Sequence, residues 1–465
     1  MGDDWFHSHP QFAAYVYRQV ATIEGVVIGE GDRLGMWLDS WPRNVAVLPR
    51  ALASALAAGF APSLSLVRDL LALISGRVKQ MEQVEQTEQS PLAQFAQHKR
   101  VIELAGLSWS IEACIAPVLV LLRLLRDAGY EPNQDFVLPD DGWPGRVELC
   151  LVEAIGSYAR DEPGVRERVA GHGRGLAAMT APIGPLGLAL DRVDEPLLTL
   201  LAGLGETACA AEPSLPLSLL DRLDDIVALS APERAILGRN MPAEMAGRAE
   251  GSSLGVTRQG VTHRGDVKAL VPSEWALRDE VRAYRYSRGE LLYRAQMGRE
   301  PPRLRPTVLV LDVSATCLGA IAEVLRPAAH YLARALLQAG EPAFLLAAGG
   351  DNTTRALQHP SDVLEILAAR TLEPVDLVRT FDQARGLREA LAGDSGMEPV
   401  IVLMSHIYFG AEHRTLNAPS HLRALFAEYP RHSERPAWTD RCERWQALPV
   451  GNPEAIPDAV ARIME

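Results

Sequence analysis

The stretch that decides the fold is Thr307-Val308-Leu309-Val310-Leu311, an unbroken apolar run followed directly by Asp312-Val313-Ser314-Ala315-Thr316. A continuous apolar run, unlike an alternating one, is typical of a strand buried on both faces in the parallel sheet of an α/β domain. Ligands of such sheets bind beyond the carboxyl ends of the strands. We therefore expect the carboxylate of Asp312 and the hydroxyls of Ser314 and Thr316 to line a ligand site. Oxygen donors of this kind suit a hard cation such as Mg²⁺.

Further strands and helices alternate along the last third of the chain. Apolar spacing after the Asp312 strand predicts a helix that ends at Gly340, and buried strands are expected over residues 343–347 and 400–404. Thr380 has the position of the N-cap of another helix. This alternation predicts a doubly wound sheet over residues 301–465.

The rest of the chain has a different texture. Residues 1–240 show apolar residues at helical spacing and no competing strand alternation, which predicts an α-helical domain. Residues 241–300 contain a glycine-rich stretch, which predicts a linker, followed by a connecting helix over residues 273–299. The expected fold class is therefore multi-domain, with an α-helical N-terminal half followed by a C-terminal α/β doubly wound domain.

Charge and composition exclude several function classes. The 46 basic and 59 acidic residues give a net charge of −13, which argues against a general nucleic-acid binder. The longest apolar run, residues 113–122, is too short to span a membrane. The five cysteines are far apart and include no Cys-x-x-Cys pair, so a reducing cytoplasmic location is expected.

The Asp312-x-Ser314-x-Thr316 motif resembles the first segment of the metal-ion-dependent adhesion site of von Willebrand factor A (VWA) domains, which reads Asp-x-Ser-x-Ser. In that pattern a Thr follows on a later loop, and Thr380 is in the matching place. The pattern also has an Asp after the next buried strand, where this chain has His406. The resemblance therefore implies a degenerate adhesion site formed by Asp312, Ser314, Thr316 and Thr380, with His406 in place of the expected Asp.

Three interpretations of this site stay open. In the first, Asp312 and the hydroxyls still hold Mg²⁺. In the second, the site is metal-free, and His406 either hydrogen-bonds Asp312, its protonated imidazole supplying the positive charge of the missing cation, or simply fills the space. In the third, Asp312, Ser314 and Thr380 only cap turns and helix starts. Because imidazole is a poor ligand for Mg²⁺, we expect either no cofactor or weakly bound Mg²⁺.

A second resemblance concerns the entry into this domain. Residues 269–274 and 288–293, followed by the Asp312 strand, resemble the corresponding part of the VWA proteins associated with MoxR-type AAA+ ATPases. That resemblance implies a bacterial, cytoplasmic, non-enzymatic adaptor that couples such an ATPase to an unknown protein client by protein–protein interaction. Some members of that group belong to anti-phage conflict systems.

An enzymatic alternative stays open beside the adaptor. Residues 312–316 are also similar to the Asp-x-Asp-x-Thr motif of haloacid dehalogenase-like phosphohydrolases, in which the first Asp is the nucleophile. Asp312 would take that role here. Ser314 stands where the motif has its general acid, and a serine hydroxyl cannot serve as that acid at neutral pH. The sequence therefore favours the adaptor over the phosphohydrolase.

Overall fold

A computed structural model describes residues 8–16, 19, 47–76, 93–130, 136–139, 142–159, 183–239, 258–262, 270–277, 281, 282, 285, 291–296, 304–392, 397–410, 418–429 and 437–465. The chain forms two compact units. A helical unit contains Met1–Gly238 together with His359–Ala369, and a sheet unit contains Arg239–Gln358 together with Arg370–Glu465.

The described residues of the helical unit form helices and their connections around one apolar core. Its α-helices are α1 (Val47–Ala57), α2 (Leu64–Ile74), α3 (Lys99–Ala105), α4 (Ile115–Asp127), α5 (Trp143–Ala159), α6 (Ile183–Asp191), α7 (Glu195–Ala211), α8 (Leu215–Ser218) and α9 (Ala231–Leu237). Helix α4 is apolar on almost every side and is correspondingly buried along most of its length. Its Pro117 lies in the first turn, where a missing backbone N–H costs little.

Residues 258–262 and 293–296 form a two-stranded antiparallel ribbon, β1 (Arg258–Thr262) and β2 (Tyr293–Gln296). The predicted connecting helix over residues 273–299 is therefore wrong at its C-terminal end. Only the short helix α10 (Pro272–Trp275) and residues 281, 282 and 285 are helical among the described residues of that span. Residues 293–296 pair with β1, which is distant in sequence, and this pairing outweighs the weak helical spacing of their apolar residues. Most of the predicted glycine-rich linker lies outside the described residues.

The sheet unit contains a six-stranded sheet in the order β5-β4-β3-β6-β7-β8. Its strands are β3 (Thr307–Asp312), β4 (Ala343–Ala348), β5 (Thr353–Ala356), β6 (Val400–His406), β7 (Leu422–Glu428) and β8 (Arg444–Pro449). All neighbours run parallel except the edge strand β5, which pairs antiparallel with β4. The prediction of a helical N-terminal half and a mainly parallel C-terminal sheet is confirmed at this level.

Helices cover both faces of the sheet. These are α11 (Ala322–Ala339), α13 (Leu377–Ala392) and α14 (Ile456–Met464), whereas α12 (Glu365–Ala368) belongs to the helical unit. Helix α13 packs against β3, β4 and β6, and its Phe381 shares a core with Val310 and Leu403. Helix α11 packs on the opposite face of the same strands, and α14 packs against β7 and β8. Gly340 ends α11 in the left-handed conformation, as predicted.

Two local features differ from the sequence-based expectation. Strand β7 was not predicted, because Arg423 interrupts its apolar run. The two terminal nitrogens of the buried guanidinium donate to Glu443 at 2.8 Å and to the carbonyl oxygen of Ile463 at 2.6 Å, whereas its Nε has no hydrogen-bond partner among the described residues. The predicted N-cap role of Thr380 is wrong. Helix α13 begins at Leu377, and the carboxylate of Asp376 accepts the backbone N–H of Arg379 at 3.1 Å.

Candidate functional site

The site lies where the strand order reverses. Strands β3 and β6 are neighbours in the middle of the sheet, and they lead respectively to Asp312 and to His406 at their carboxyl ends. The chain proceeds from β3 outward to one edge and from β6 outward to the other, which leaves a crevice between the two strand ends. Open α/β sheets bind ligands at such a topological switch point.

Hydroxyl groups surround the carboxylate of Asp312, which is only 3 % exposed. Its Oδ1 accepts hydrogen bonds from the backbone N–H of Ser314 at 3.0 Å and from the Ser314 hydroxyl at 2.6 Å. Its Oδ2 accepts a hydrogen bond from the Ser405 hydroxyl at 2.6 Å. The hydroxyls of Ser314 and Thr316 are hydrogen-bonded to each other at 2.8 Å. Both carboxylate oxygens therefore have partners, which lowers the cost of burying this charge.

A cysteine and a histidine complete the cluster. The ligand atoms of Asp312, Cys317 and His406 all lie within 4.8 Å of one another. The Sγ of Cys317 lies 3.8 Å from the hydroxyl oxygen of Ser405. Burial of the Cys317 thiol, reinforced by the negative charge of Asp312, raises its pKa far above the usual range. The chain alone therefore keeps this thiol protonated at neutral pH.

The turn after β6 orients the imidazole of His406. Its Nδ1 accepts the backbone N–H of Tyr408 at 3.2 Å. The ring meets Phe409 edge-on, with ring centroids 6.2 Å apart and planes at 82°. His406 is partly exposed, whereas Asp312 and Cys317 are buried. The imidazole therefore forms the solvent-facing side of the cluster.

Thr380 is connected to this region only through Asn352 in the contacts that the structure shows. The Thr380 hydroxyl donates to the carbonyl oxygen of Asp376 at 2.7 Å and accepts from Nδ2 of Asn352 at 3.2 Å. Asn352 in turn accepts the backbone N–H of Gly349 at 3.0 Å. Gly349 has φ +153°, and a Cβ built there would lie 2.4 Å from Cγ2 of Thr371 and 3.6 Å from the amide nitrogen of Ser314. Glycine is thus required where this loop passes beside the site.

The structure joins Asp312, Ser314 and Thr316 by hydrogen bonds and brings His406 next to them, whereas Thr380 is buried within α13. Sequence reasoning missed Cys317 and Asn352. The sequence does contain a signal for Cys317, because this residue follows Asp312 by five positions beyond the end of the same predicted strand. The wide spacing of the five cysteines does not reveal it. The sequence pattern likewise gave no role to Ser405, which precedes His406 at the end of β6. The role of Thr380 as a metal ligand stays a prediction.

Comparison of the chain with models of protein families, with curated protein sequences and with solved structures gave no significant match. The class of protein is therefore defined by fold and site: a helical unit joined to an α/β unit with a buried polar cluster at its topological switch point. Within the described residues, no helix combines the length and the apolar composition needed to cross a lipid bilayer.

Proposed function

We propose that this chain is a non-enzymatic, VWA-like adaptor that binds a MoxR-type AAA+ ATPase through the carboxyl edge of its sheet and couples that ATPase to a protein client. The observation that carries this proposal is the position of the Asp312 cluster. The motif that resembles the VWA adhesion site follows the first strand of the parallel sheet, and its counterpart His406 ends the neighbouring strand β6. The resemblance to the VWA adhesion site implies that Asp312 and His406 lie together at the ends of these two strands.

Exposed apolar side chains around the same edge support a protein-binding role. Four large apolar residues in the connections at this edge are exposed to solvent: Leu318 at 36 %, Leu372 at 82 %, Val378 at 58 % and Tyr408 at 39 %. We call these four residues the apolar rim. Leu318 follows β3 and Tyr408 follows β6. Leu372 lies in the connection that precedes α13, and Val378 lies in the first turn of that helix. Exposed apolar groups that surround a polar centre are typical of protein interaction surfaces.

The environment of Asp312 favours the adaptor over the phosphohydrolase. A nucleophilic carboxylate needs an accessible oxygen, and Asp312 is 3 % exposed with both oxygens hydrogen-bonded to serine groups. Ser314 donates its proton to Asp312, so its hydroxyl is committed to that contact. None of the five cysteines forms a disulfide bond in the structure, which supports a reducing compartment such as the cytoplasm.

The test is co-purification of the full chain with a MoxR-type ATPase from the same genome, in the presence and absence of ATP. Leu372→Asp and Val378→Asp each place a charge on the apolar rim without touching the core. We expect each variant to weaken binding at least tenfold, since apolar anchors at interfaces contribute on the order of 1–2 kcal/mol or more.

Matched controls come from the helical unit. Val137 is 86 % exposed and Leu188 is 58 % exposed, so Val137→Asp and Leu188→Asp repeat the same substitutions at similar exposure. These controls should bind as the unmodified chain does, and all four variants should keep its circular dichroism spectrum. Absence of binding by the unmodified chain in both nucleotide states would refute the proposal. Equal binding by rim and control variants would show that the rim is not the interface.

A further inference from the structure

We propose that Asp312, Cys317 and His406 form a binding site for a transition-metal ion of the Zn²⁺ type, with three protein ligands and a fourth position for water or a group of a partner. The site differs from the oxygen-only magnesium site that the sequence pattern implies. It does not depend on the proposed adaptor function, because it concerns only the isolated chain.

The geometry brings three different donor atoms to one point. The carboxylate oxygen, the thiol sulfur and the imidazole nitrogen lie within 4.8 Å of one another. Bonds from zinc to such ligands are about 2.0–2.3 Å long, which places the ligand atoms of a tetrahedral site roughly 3.3–3.8 Å apart. Movements of about 1 Å therefore close the site. Cys317 lies in the short 3-10 helix Ala315–Cys317, and His406 is the last residue of β6, so side-chain rotation can supply the movement.

The donor set selects the metal. Thiolate and imidazole are preferred ligands of zinc and of related transition metals, whereas magnesium requires oxygen ligands. Replacement of the expected second carboxylate by His406, together with Cys317 beside Asp312, changes the site from a hard to a borderline donor set. Three protein ligands with one open position are also the arrangement of zinc sites that bind an exogenous group.

Charge balance supports occupancy by a divalent cation. The cluster holds the buried carboxylate of Asp312 and, once the metal displaces its proton, the thiolate of Cys317. A divalent ion with these two anions and a neutral imidazole has no net charge, which is favourable in a buried site. The displaced thiol proton passes to solvent, so binding releases a proton.

Groups around the ligands hold them in place. Ser405 and Ser314 donate hydrogen bonds to the two oxygens of Asp312 and fix the orientation of its carboxylate. Oδ1 already accepts two hydrogen bonds from Ser314, whereas Oδ2 accepts one from Ser405 and keeps a second lone pair for a metal. Nδ1 of His406 accepts a hydrogen bond of 3.2 Å from the backbone N–H of Tyr408. The imidazole binds a metal either through Nδ1, by giving up this bond, or through Nε2 after loss of its proton.

The experiment titrates Co²⁺, and then Zn²⁺ in competition, into the metal-free full chain. Co²⁺ bound to a thiolate gives a near-ultraviolet charge-transfer band. We expect one equivalent of Co²⁺ to produce this band and one equivalent of Zn²⁺ to abolish it. Cys317→Ser should remove the band, and His406→Gln should weaken Co²⁺ binding at least tenfold while the band persists at saturation. Ser405→Ala, which loosens Asp312, should weaken binding about tenfold.

Two controls separate this site from adventitious binding. Cys442 is partly buried, and burial raises the pKa of its thiol to about 12. Cys442→Ser should leave the band unchanged. His9→Ala tests the histidines near the N-terminus and should also have no effect. A band that is absent from the unmodified chain, or that survives Cys317→Ser, would overturn the proposal. Unchanged affinity in His406→Gln would do the same even if Cys317→Ser failed to fold.

Discussion

At the scale of single residues, Asp312 shows how hydrogen bonds stabilise a carboxylate that is buried in the fold. Its three hydrogen bonds come from neutral donors, Ser314 and Ser405, so its negative charge is solvated by hydroxyl dipoles. Magnesium sites built from few protein ligands depend on carboxylate charge, and the imidazole of His406 contributes none. The site therefore offers one carboxylate where the related pattern offers two.

The first prediction concerns this missing carboxylate. His406→Asp should create a magnesium site that calorimetry detects at millimolar Mg²⁺, because a second carboxylate then lies beside Asp312. The unmodified chain should give no binding heat under the same conditions. His359→Asp adds the same charge at an exposed position outside the cluster and serves as the control. Tight Mg²⁺ binding by the unmodified chain would contradict this prediction.

At the scale of elements, the turn that follows β6 is fixed by a tryptophan. The indole N–H of Trp438 donates to the carbonyl oxygen of Phe409 at 3.1 Å. The ring of Trp438 also meets Phe381 of α13 and Phe426 of β7 edge-on. The turn therefore packs tightly against the face of the sheet covered by α13, and this packing holds His406 in position.

The second prediction tests that packing at Gly410. Gly410 has φ +68°, and a Cβ there would lie 2.8 Å from Cδ1 of Leu377 and 3.1 Å from Nε1 of Trp438. Gly451 has φ +82° and open space around it. Both alanine variants carry about 1–2 kcal/mol of left-handed backbone strain, and Gly410→Ala should lose about 1 kcal/mol more through overpacking. Urea unfolding of both variants measures the difference, and equal losses would show that the turn can yield.

Three helices of the helical unit meet at a charged cluster. Arg100 of α3 forms an ion pair at 2.8 Å with Glu195 of α7, and Arg234 of α9 pairs with the same carboxylate. The hydrogen bond from Arg100, followed by the contributions of Arg234, lowers the pKa of Glu195 below its usual range. Glu195 also lies in the first turn of α7, where a negative charge is favourable.

The third prediction gives the pH dependence of this cluster. Because the folded-state pKa of Glu195 is lower than the unfolded one, its stabilisation is complete above about pH 4.5 and is lost as the pH falls through the folded-state value. Glu195→Gln should therefore be less stable than the unmodified chain near pH 7, and the difference should shrink toward pH 3. Denaturant unfolding at several pH values measures this. A difference that does not change with pH would rule out the ion pairs as its source.

At the scale of the whole molecule, the chain leaves the sheet unit once and returns to it. After β5, His359–Ala369 is part of the helical unit, and Arg370 is again part of the sheet unit. Leu364 and Leu367 lie in the helical core, the carbonyl oxygen of Leu367 accepts the N–H of Val227 at 3.1 Å, and Glu365 forms an ion pair with Arg222. The helical unit is therefore complete only when a later part of the chain has joined it.

The fourth prediction follows from this insertion. Leu367 is fully buried, so Leu367→Ala should destabilise the helical unit by about 2–4 kcal/mol. Hydrogen exchange on the full chain should show lost protection in α7, whereas β3 and β6 keep theirs. Leu372→Ala, at an exposed site five residues later, should change neither. Loss of protection in the sheet alone would contradict the assignment of this segment.

The sequence by itself determined the elements that depend on local pattern. The runs around Val310 and Val402 predicted buried parallel strands, Gly340 marked the end of a helix, and the alternation of strands and helices gave the doubly wound class. The same pattern predicted that Asp312 and His406 lie at one crevice, because the carboxyl ends of neighbouring parallel strands meet there.

Only the tertiary structure decided which groups complete these elements and the site. Strand β7 can contain the buried Arg423 because Glu443 and the carbonyl oxygen of Ile463 accept hydrogen bonds from its guanidinium. Strand β2 depends on pairing with β1, which is distant in sequence. Thr380 is a buried residue in the first turn of α13 and not its N-cap, because Asp376 caps that helix. Cys317 and Ser405 reach Asp312 because their segments fold beside it. The contacts of Ser405 with Asp312, of Arg423 with Ile463 and of β1 with β2 join residues far apart in the chain, which leave no periodicity in the sequence, so packing alone determines them.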